Sequence, residues 1–308
     1  MFAILLLYLV NLFILGAMVG SFLNVCVYRL PRECMTLQHP KRSHCQSCYT
    51  QLTYFPDNIP ILSWFLLRGR CRHCGAPFSF RYPAIEIVTA ILFAFIGFRI
   101  DPHLLEDYFF LQQSFFSIEV RFLYLLYVLA FCSALVVVTL IDWSPLRIIP
   151  DEITIGGALL CPIAAYFCPM MFEKEVATLS AITDPALGRF LLSVQGAFVG
   201  FMALFLVSFF GSFFLQGHSL SPQEAMGFGD VKLMAFLGAF LGWKGALILL
   251  FIGSLLGAIV GILNWLISGK NTIPFGPYLS AGALMVLFQP NLLEWVNAWI
   301  NPLSPALH

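Results

Sequence analysis

The chain has 308 residues, 60% of them hydrophobic and only 10% charged, with a mean hydropathy of +0.88. Soluble domains run nearer half apolar and a quarter charged, so this composition excludes a soluble globular protein. Sixteen Lys and Arg balance sixteen Asp and Glu. Long-range charge therefore says nothing about nucleic acid or acidic partners, and no nucleic-acid partner is expected.

Several stretches of about 20 nearly uncharged residues match a hydrocarbon core roughly 30 Å thick. A membrane β-barrel would need short segments of alternating hydropathy instead, and none are seen. The fold class expected is therefore an all-α polytopic membrane protein of about eight transmembrane helices, embedded in a lipid bilayer. Its spans are expected at 2–25, 83–100, 121–141, 153–172, 190–214, 231–242, 245–267 and 277–299. The span at 231–242 is short, rich in Gly and broken near Gly242-Trp243, which suits a half-inserted or tilted helix.

Residues 1–28 form the first helix. A cleaved signal peptide is the rival, but it wants basic residues ahead of its apolar core, and no Lys or Arg precedes Arg29. Next comes a polar island at 29–82, carrying eight of the sixteen Lys and Arg between Arg29 and Arg81. The positive-inside rule places this island in the cytosol, with the transmembrane core at 83–308. Segments 142–152, 215–230 and 268–276 then face the cytosol too, and 173–189 is an external, long and polar connection.

Within the island, Cys45-Gln-Ser-Cys48 and Cys71-Arg-His-Cys74 are two C-x-x-C turns with 22 residues between them. Each turn offers two thiolates at the bite that tetrahedral Zn²⁺ prefers. Disulfides are the alternative, disfavoured in a reducing cytosol. Four thiolates leave no open coordination position, so the zinc expected here is structural and supplies folding energy to a segment with little core. His44 and His73 stand beside the ligands and are candidates to support them. Cys26, Cys34, Cys132, Cys161 and Cys168 lack such pairing and read as small buried apolar residues.

Two acids sit at the ends of apolar runs. Asp142 follows Val136-Val-Val-Thr-Leu-Ile141 at the end of the third span, and Asp230 lies in Gly227-Phe-Gly-Asp230 at the start of the sixth. They are 88 residues apart, but the topology puts both at the cytosolic membrane edge. Two close carboxylates share one proton, leaving a base to activate water and an acid for the scissile carbonyl and leaving nitrogen. Gly227 and Gly229 would let a helix or an extended substrate backbone come close. The plainer reading makes each Asp a helix cap. Helix dipoles would put the charge on Asp230 and the proton on Asp142.

Gly20-Ser-Phe-Leu-Asn-Val-Cys-Val-Tyr-Arg-Leu-Pro31, the double C-x-x-C island and Tyr82-Pro-Ala-Ile-Glu86 come in one order along the chain. Ile141-Asp-Trp-Ser-Pro-Leu-Arg-Ile-Ile-Pro-Asp151, Gly227-Phe-Gly-Asp-Val-Lys-Leu233 and Ile273-Pro-Phe-Gly-Pro277 follow. Together they resemble the bacterial prepilin peptidases (type IV leader peptidases), aspartic peptidases of the membrane with a G-x-G-D motif. The resemblance covers nearly the whole chain. It implies that Asp142 and Asp230 are catalytic, in an enzyme of the bacterial inner membrane with its active site facing the cytosol. Prepilins or type II secretion pseudopilins would be the substrates, cut after a glycine that precedes their hydrophobic helix. It also implies N-methylation of the new N-terminus with S-adenosylmethionine, although no Gly-rich nucleotide loop is present.

Glu86 and Lys232 are lesser candidates for substrate or cofactor binding. Glu86 also suits a helix N-terminus, and Lys232 also suits snorkelling to headgroups. Asp151 and Glu152 after Pro150 read as a helix start. Asn24 reads as a packing residue and Arg29 as an interfacial anchor. A proton-coupled transporter would also use membrane acids, but it is expected to show repeats that this chain lacks. A zinc-stapled scaffold would explain the cysteines but not Gly227-Phe-Gly-Asp230.

Overall fold

The computed structural model describes residues 2–31, 43–110, 115–144, 148–179, 184–215, 227–269 and 273–289. The chain forms two compact units, residues 1–137 and 138–308.

In the first unit, α1 (Phe2–Arg29) packs along α3 (Arg81–Ile100). Small residues set the closeness. A Cβ on Gly16 would lie 2.7 Å from the Ala90 Cα, and one on Gly20 would lie 2.8 Å from the Glu86 Cα. One turn on, the Asn24 amide donates to the Tyr82 carbonyl at 3.2 Å, so Asn24 does fix helix packing. Arg29, expected at the lipid interface, is instead 7% exposed. Between α1 and α3 the described residues of the island hold the short α2 (Leu62–Leu66) and two isolated β-bridges, His44 with Gln51 and Arg70 with Pro77. After α3 come α4 (Leu104–Phe110) and α5 (Phe115–Asp142), whose Arg121 bonds both Asp101 and Asp107. That three-residue ion cluster is not apparent from sequence spacing.

The second unit comprises α6 (Asp151–Phe167), α7 (Glu173–Leu179), α8 (Pro185–Leu215), α9 (Phe228–Ser268) and α10 (Gly276–Phe288), together with the end of α5. Helix α9 is its axis, packed on α8, α6 and α10. Gly196 and Gly238 face each other so closely that a Cβ on either would strike the other's carbonyl oxygen. Beside them the Ser193 hydroxyl donates to the Ala239 carbonyl at 2.7 Å. Such small-residue contacts suit helices in lipid, where association depends on close backbone approach.

Helix α9 is two helical halves, 41 residues in all, that meet at a kink. Gly242 interrupts it with φ 75° and ψ 172°, a conformation open to glycine and costly for other residues. The break expected near Gly242-Trp243 is therefore present, at the kink where the two halves meet.

Five helices among the described residues are long and apolar enough to cross a membrane: Ala3–Arg29, Arg81–Ile100, Phe116–Asp142, Pro185–Gly211 and Phe228–Ile267. The chain is thus a polytopic all-α membrane protein. Helices α6 and α10, with 17 and 13 residues, fall short of the length for a span of their own. The third span begins at Phe115, six residues before its expected start, and α6 stops at Phe167, short of residue 172. Within the connection expected at 173–189 lie α7 and the first turn of α8. Residues 290–299 of the last expected span lie outside the described residues.

Candidate functional site

Asp142 is the last residue of α5 and Asp230 lies in the first turn of α9. Both belong to the second unit, and both are buried, at 6% and 8% exposure. Gly227 caps α9 in an extended conformation, and the Asp230 N–H closes on its carbonyl at 3.1 Å. This first turn holds the carboxyl inward. Asp142 is the charged neighbour whose field reaches Asp230, so the two acids fall within electrostatic range.

Their hydrogen bonding is uneven. The Gly276 N–H, opening α10, donates to Asp142 Oδ2 at 3.0 Å. A Cβ on Gly276 would sit 2.8 Å from that oxygen, so only glycine leaves room for the contact. Asp230 Oδ1 is buried and has no hydrogen-bond partner among the described residues. The dipole argument, which gave the charge to Asp230, gains no support from a donor placed on Asp142 instead. The motif Ile273–Pro277 was legible as a motif, but nothing in the sequence tied Gly276 to an acid 134 positions away.

Around the pair, the other candidates divide. A Cβ on Gly229 would lie 3.2 Å from the Ile149 Cβ, so this glycine admits the segment before α6. Gly227 is less constrained, a Cβ there lying 3.7 Å from Asp230 Oδ2. The Lys232 ammonium pairs with Asp151 at 2.7 Å and lies 5.3 Å from the Phe228 ring centroid. Asp151 does open α6 after Pro150, as expected, and it also holds Lys232.

The four island cysteines converge. The Sγ atoms of Cys45, Cys48, Cys71 and Cys74 all lie within 4.8 Å of one another, and those of Cys45 and Cys74 are 3.8 Å apart. Tetrahedral zinc with bonds of about 2.3 Å needs sulfurs about 3.8 Å apart, so the set fits a Zn²⁺ ion. Each knuckle is built alike. Cys45 N–H bonds the Thr50 carbonyl and Tyr49 N–H returns to Cys45; Cys71 N–H bonds Ala76 and Gly75 N–H returns to Cys71. The residue four places after each first cysteine is left-handed, Tyr49 at φ 56° and Gly75 at φ 71°.

Hydrogen bonding with the Thr50 side chain, then its backbone, pulls the Cys48 thiol down to about 6. Backbone hydrogen bonds from Cys74 and His73 lower Cys71. Against a backbone hydrogen bond from Ala76, burial and the other three sulfurs push Cys74 up to about 11. The crowding of sulfur charge is what a bound cation would relieve. His44 stacks on Tyr49 rather than on a thiol. Cys26, Cys132, Cys161 and Cys168 are buried as apolar residues, and Cys34 lies outside the described residues.

Glu86 sits in the first unit. It is buried, and its Oε2 accepts the Ile61 N–H at 2.6 Å.

Residues 14–100 match the Bacterial Peptidase A24 N-terminal domain, and residues 129–262 match the Type IV leader peptidase family. Three relatives named prepilin leader peptidase/N-methyltransferase illustrate the similarity. That of Aeromonas hydrophila is 33% identical, over 94% of this chain and 93% of the relative. That of Myxococcus xanthus is 35% identical, over 86% and 65%. That of Legionella pneumophila is 31% identical, over 92% of both. No solved structure matches the chain.

Proposed function

The chain belongs to the type IV leader peptidase family, and on that premise we propose that it cleaves type IV prepilins or type II secretion pseudopilins using Asp142 and Asp230. It is an enzyme of the bacterial inner membrane, a prepilin peptidase with N-methyltransferase activity. The observation that carries the catalytic assignment is the buried, unpartnered Asp230 Oδ1 in the field of a second buried acid. A purely structural carboxylate would have its oxygens satisfied, because a buried polar atom left unpaired is costly.

In the reaction, the two carboxyl groups share one proton. One carboxylate draws a proton from water as the water adds to the scissile carbonyl. The other carboxyl hydrogen-bonds the developing oxyanion, then protonates the leaving nitrogen. Gly276 fixes the orientation of Asp142, and the turn opened by Gly227 fixes Asp230. Cleavage takes place at the cytosolic face, where the basic island and Arg147 lie by charge bias. The cut falls after a glycine just before the substrate's hydrophobic helix.

Residues 1–28 and 83–308 form the membrane body, with 83–308 as the peptidase core; a count of eight crossings treats α6, α10 and each half of α9 as a separate pass. Cys45, Cys48, Cys71 and Cys74 would hold a structural Zn²⁺, which would supply folding energy to the 29–82 island. The methyl group would come from S-adenosylmethionine.

The test is cleavage of a purified prepilin by the full chain in nanodiscs, with the product's N-terminus sequenced. Release of the basic leader at that glycine is expected. Failure to cut any prepilin or pseudopilin, by folded protein, would overturn the reading.

A further inference from the structure

The cysteine island turns an apolar face outward. Leu62, Phe65 and Leu66 of α2 are each more than half exposed, and they stand at i, i+3 and i+4, the spacing that puts side chains on one side of a helix. The residues between them are tied to the island instead. Ser63 is buried and its hydroxyl accepts the Ile59 N–H at 2.6 Å, while the Trp64 indole N–H donates to the Phe78 carbonyl at 3.1 Å. The usual amphipathic arrangement, apolar side in and polar side out, is reversed here.

The face continues to the start of a membrane span. Trp64 meets both Phe65 and Phe80 edge-on, at 5.3 and 5.2 Å. Phe80 is also more than half exposed, and it directly precedes α3, whose span begins at Arg81. Four large apolar side chains gathered in this way exceed the scattered exposure of an ordinary surface. Five helical residues alone would bind a bilayer weakly. Joined through Phe80 to a helix that crosses it, they are held at its surface at high effective concentration.

Charge agrees. Arg68, Arg70 and Arg81 are exposed, and no acid pairs with any of them among the described residues, whereas Arg72 is bonded to Asp57 at 3.3 Å. Anionic headgroups would supply the missing counter-charge, because arginine at an interface reaches lipid phosphates while its stem stays among apolar groups.

We propose that this face of α2, with Phe80, is an interfacial anchor that beds the cysteine island in the headgroup layer of an anionic bilayer. Leu62, Phe65, Leu66 and Phe80 enter the boundary with the acyl chains, and Arg68, Arg70 and Arg81 hold lipid phosphates. The anchor depends on α3 as a membrane helix and not on the peptidase chemistry, so it stands or falls separately from that reading.

The test uses the full metal-replete chain in nanodiscs made from equal parts phosphatidylcholine and phosphatidylglycerol. Each lipid carries a photoreactive diazirine near its headgroup, the two are distinguished by isotope, and adducts are mapped by peptide mass spectrometry. Adducts are expected on Leu62–Leu66 and on Phe80, with phosphatidylglycerol favoured several-fold. A diazirine at the end of the acyl chain should label α1 and α3 but not α2.

The double variant Leu62→Ser with Leu66→Ser should lower labelling of α2 at least about tenfold, with zinc content unchanged. A second variant keeps the apolar contacts and reads charge alone. Arg68→Gln, Arg70→Gln and Arg81→Gln together should remove the preference for phosphatidylglycerol, each arginine near the surface being worth about fivefold at most. Labelling of α1 and α3 without α2 would overturn the proposal. So would an undiminished anionic preference in the triple variant, or protein–protein crosslinks at α2 in place of lipid adducts, the sign of a second copy or another partner on this face.

Discussion

The cysteine island and the α8–α9 pair keep their shapes by opposite means. Residues 43–80 contain one five-residue helix and two isolated bridges, with Cys45 and Cys71 among their few buried side chains. Their order converges on four sulfurs. Helices α8 and α9 instead touch backbone to backbone at Gly196 and Gly238, with Ser193 bonded across to Ala239. Their order is spread along a seam. A region organised around a point fails when the point is removed, whereas a region organised along a seam fails when anything is inserted.

The largest effect expected is on the island. Structural zinc is worth on the order of 10–16 kcal/mol in small domains, so chelation or Cys71→Ser should unfold this segment alone. Metal analysis should fall from one zinc per chain to none, and limited proteolysis should cut within residues 43–80 while helical circular dichroism persists. An island that stays resistant without metal would break the contrast.

The seam responds to added volume. Gly238→Ala drives a methyl into the Gly196 carbonyl and should cost about 1–3 kcal/mol or more, read as a lowered unfolding temperature in nanodiscs with zinc content unchanged. A smaller effect on stability, but a sharp one on activity, is expected at Gly276. Gly276→Ala displaces Asp142 and should slow leader cleavage roughly 10–100-fold, since small misplacements of a reacting group are expensive. Yield and zinc content should not change. The least effect belongs to Lys232→Ala. Its part-exposed pair with Asp151 is worth about 1 kcal/mol or less, so cleavage should stay within a few-fold. A larger drop would give Lys232 a place in substrate binding instead.

What the sequence disclosed follows the same division. The Cys45–Cys48 and Cys71–Cys74 knuckles were legible because a metal site of this kind is encoded in local spacing. Asp142 and Asp230 stood out because acids at the ends of apolar runs need a reason. Their companion Gly276 did not, since a backbone N–H leaves no residue-type signal. The break at Gly242 was visible in its Gly-rich surroundings, and the helical halves on either side of it meet at a kink. Arg121 with Asp101 and Asp107, and Lys232 with Asp151, pair across distances in the chain that no periodicity records. The apolar face of α2 is a product of how Trp64 ties that helix to Phe80, and composition carries no trace of it.

The most direct measurement is the rate of leader cleavage by Asp142→Asn, Asp230→Asn and the double variant, in nanodiscs with folding checked by unfolding temperature. Asn retains size and polarity but cannot pass on a proton, and groups acting as one unit are strongly non-additive. Each single change should therefore cost at least about 1,000-fold, with the double variant no worse than either. Near-normal cleavage by either folded single variant would contradict the paired-carboxylate mechanism, and multiplying losses would mean that the two acids act separately.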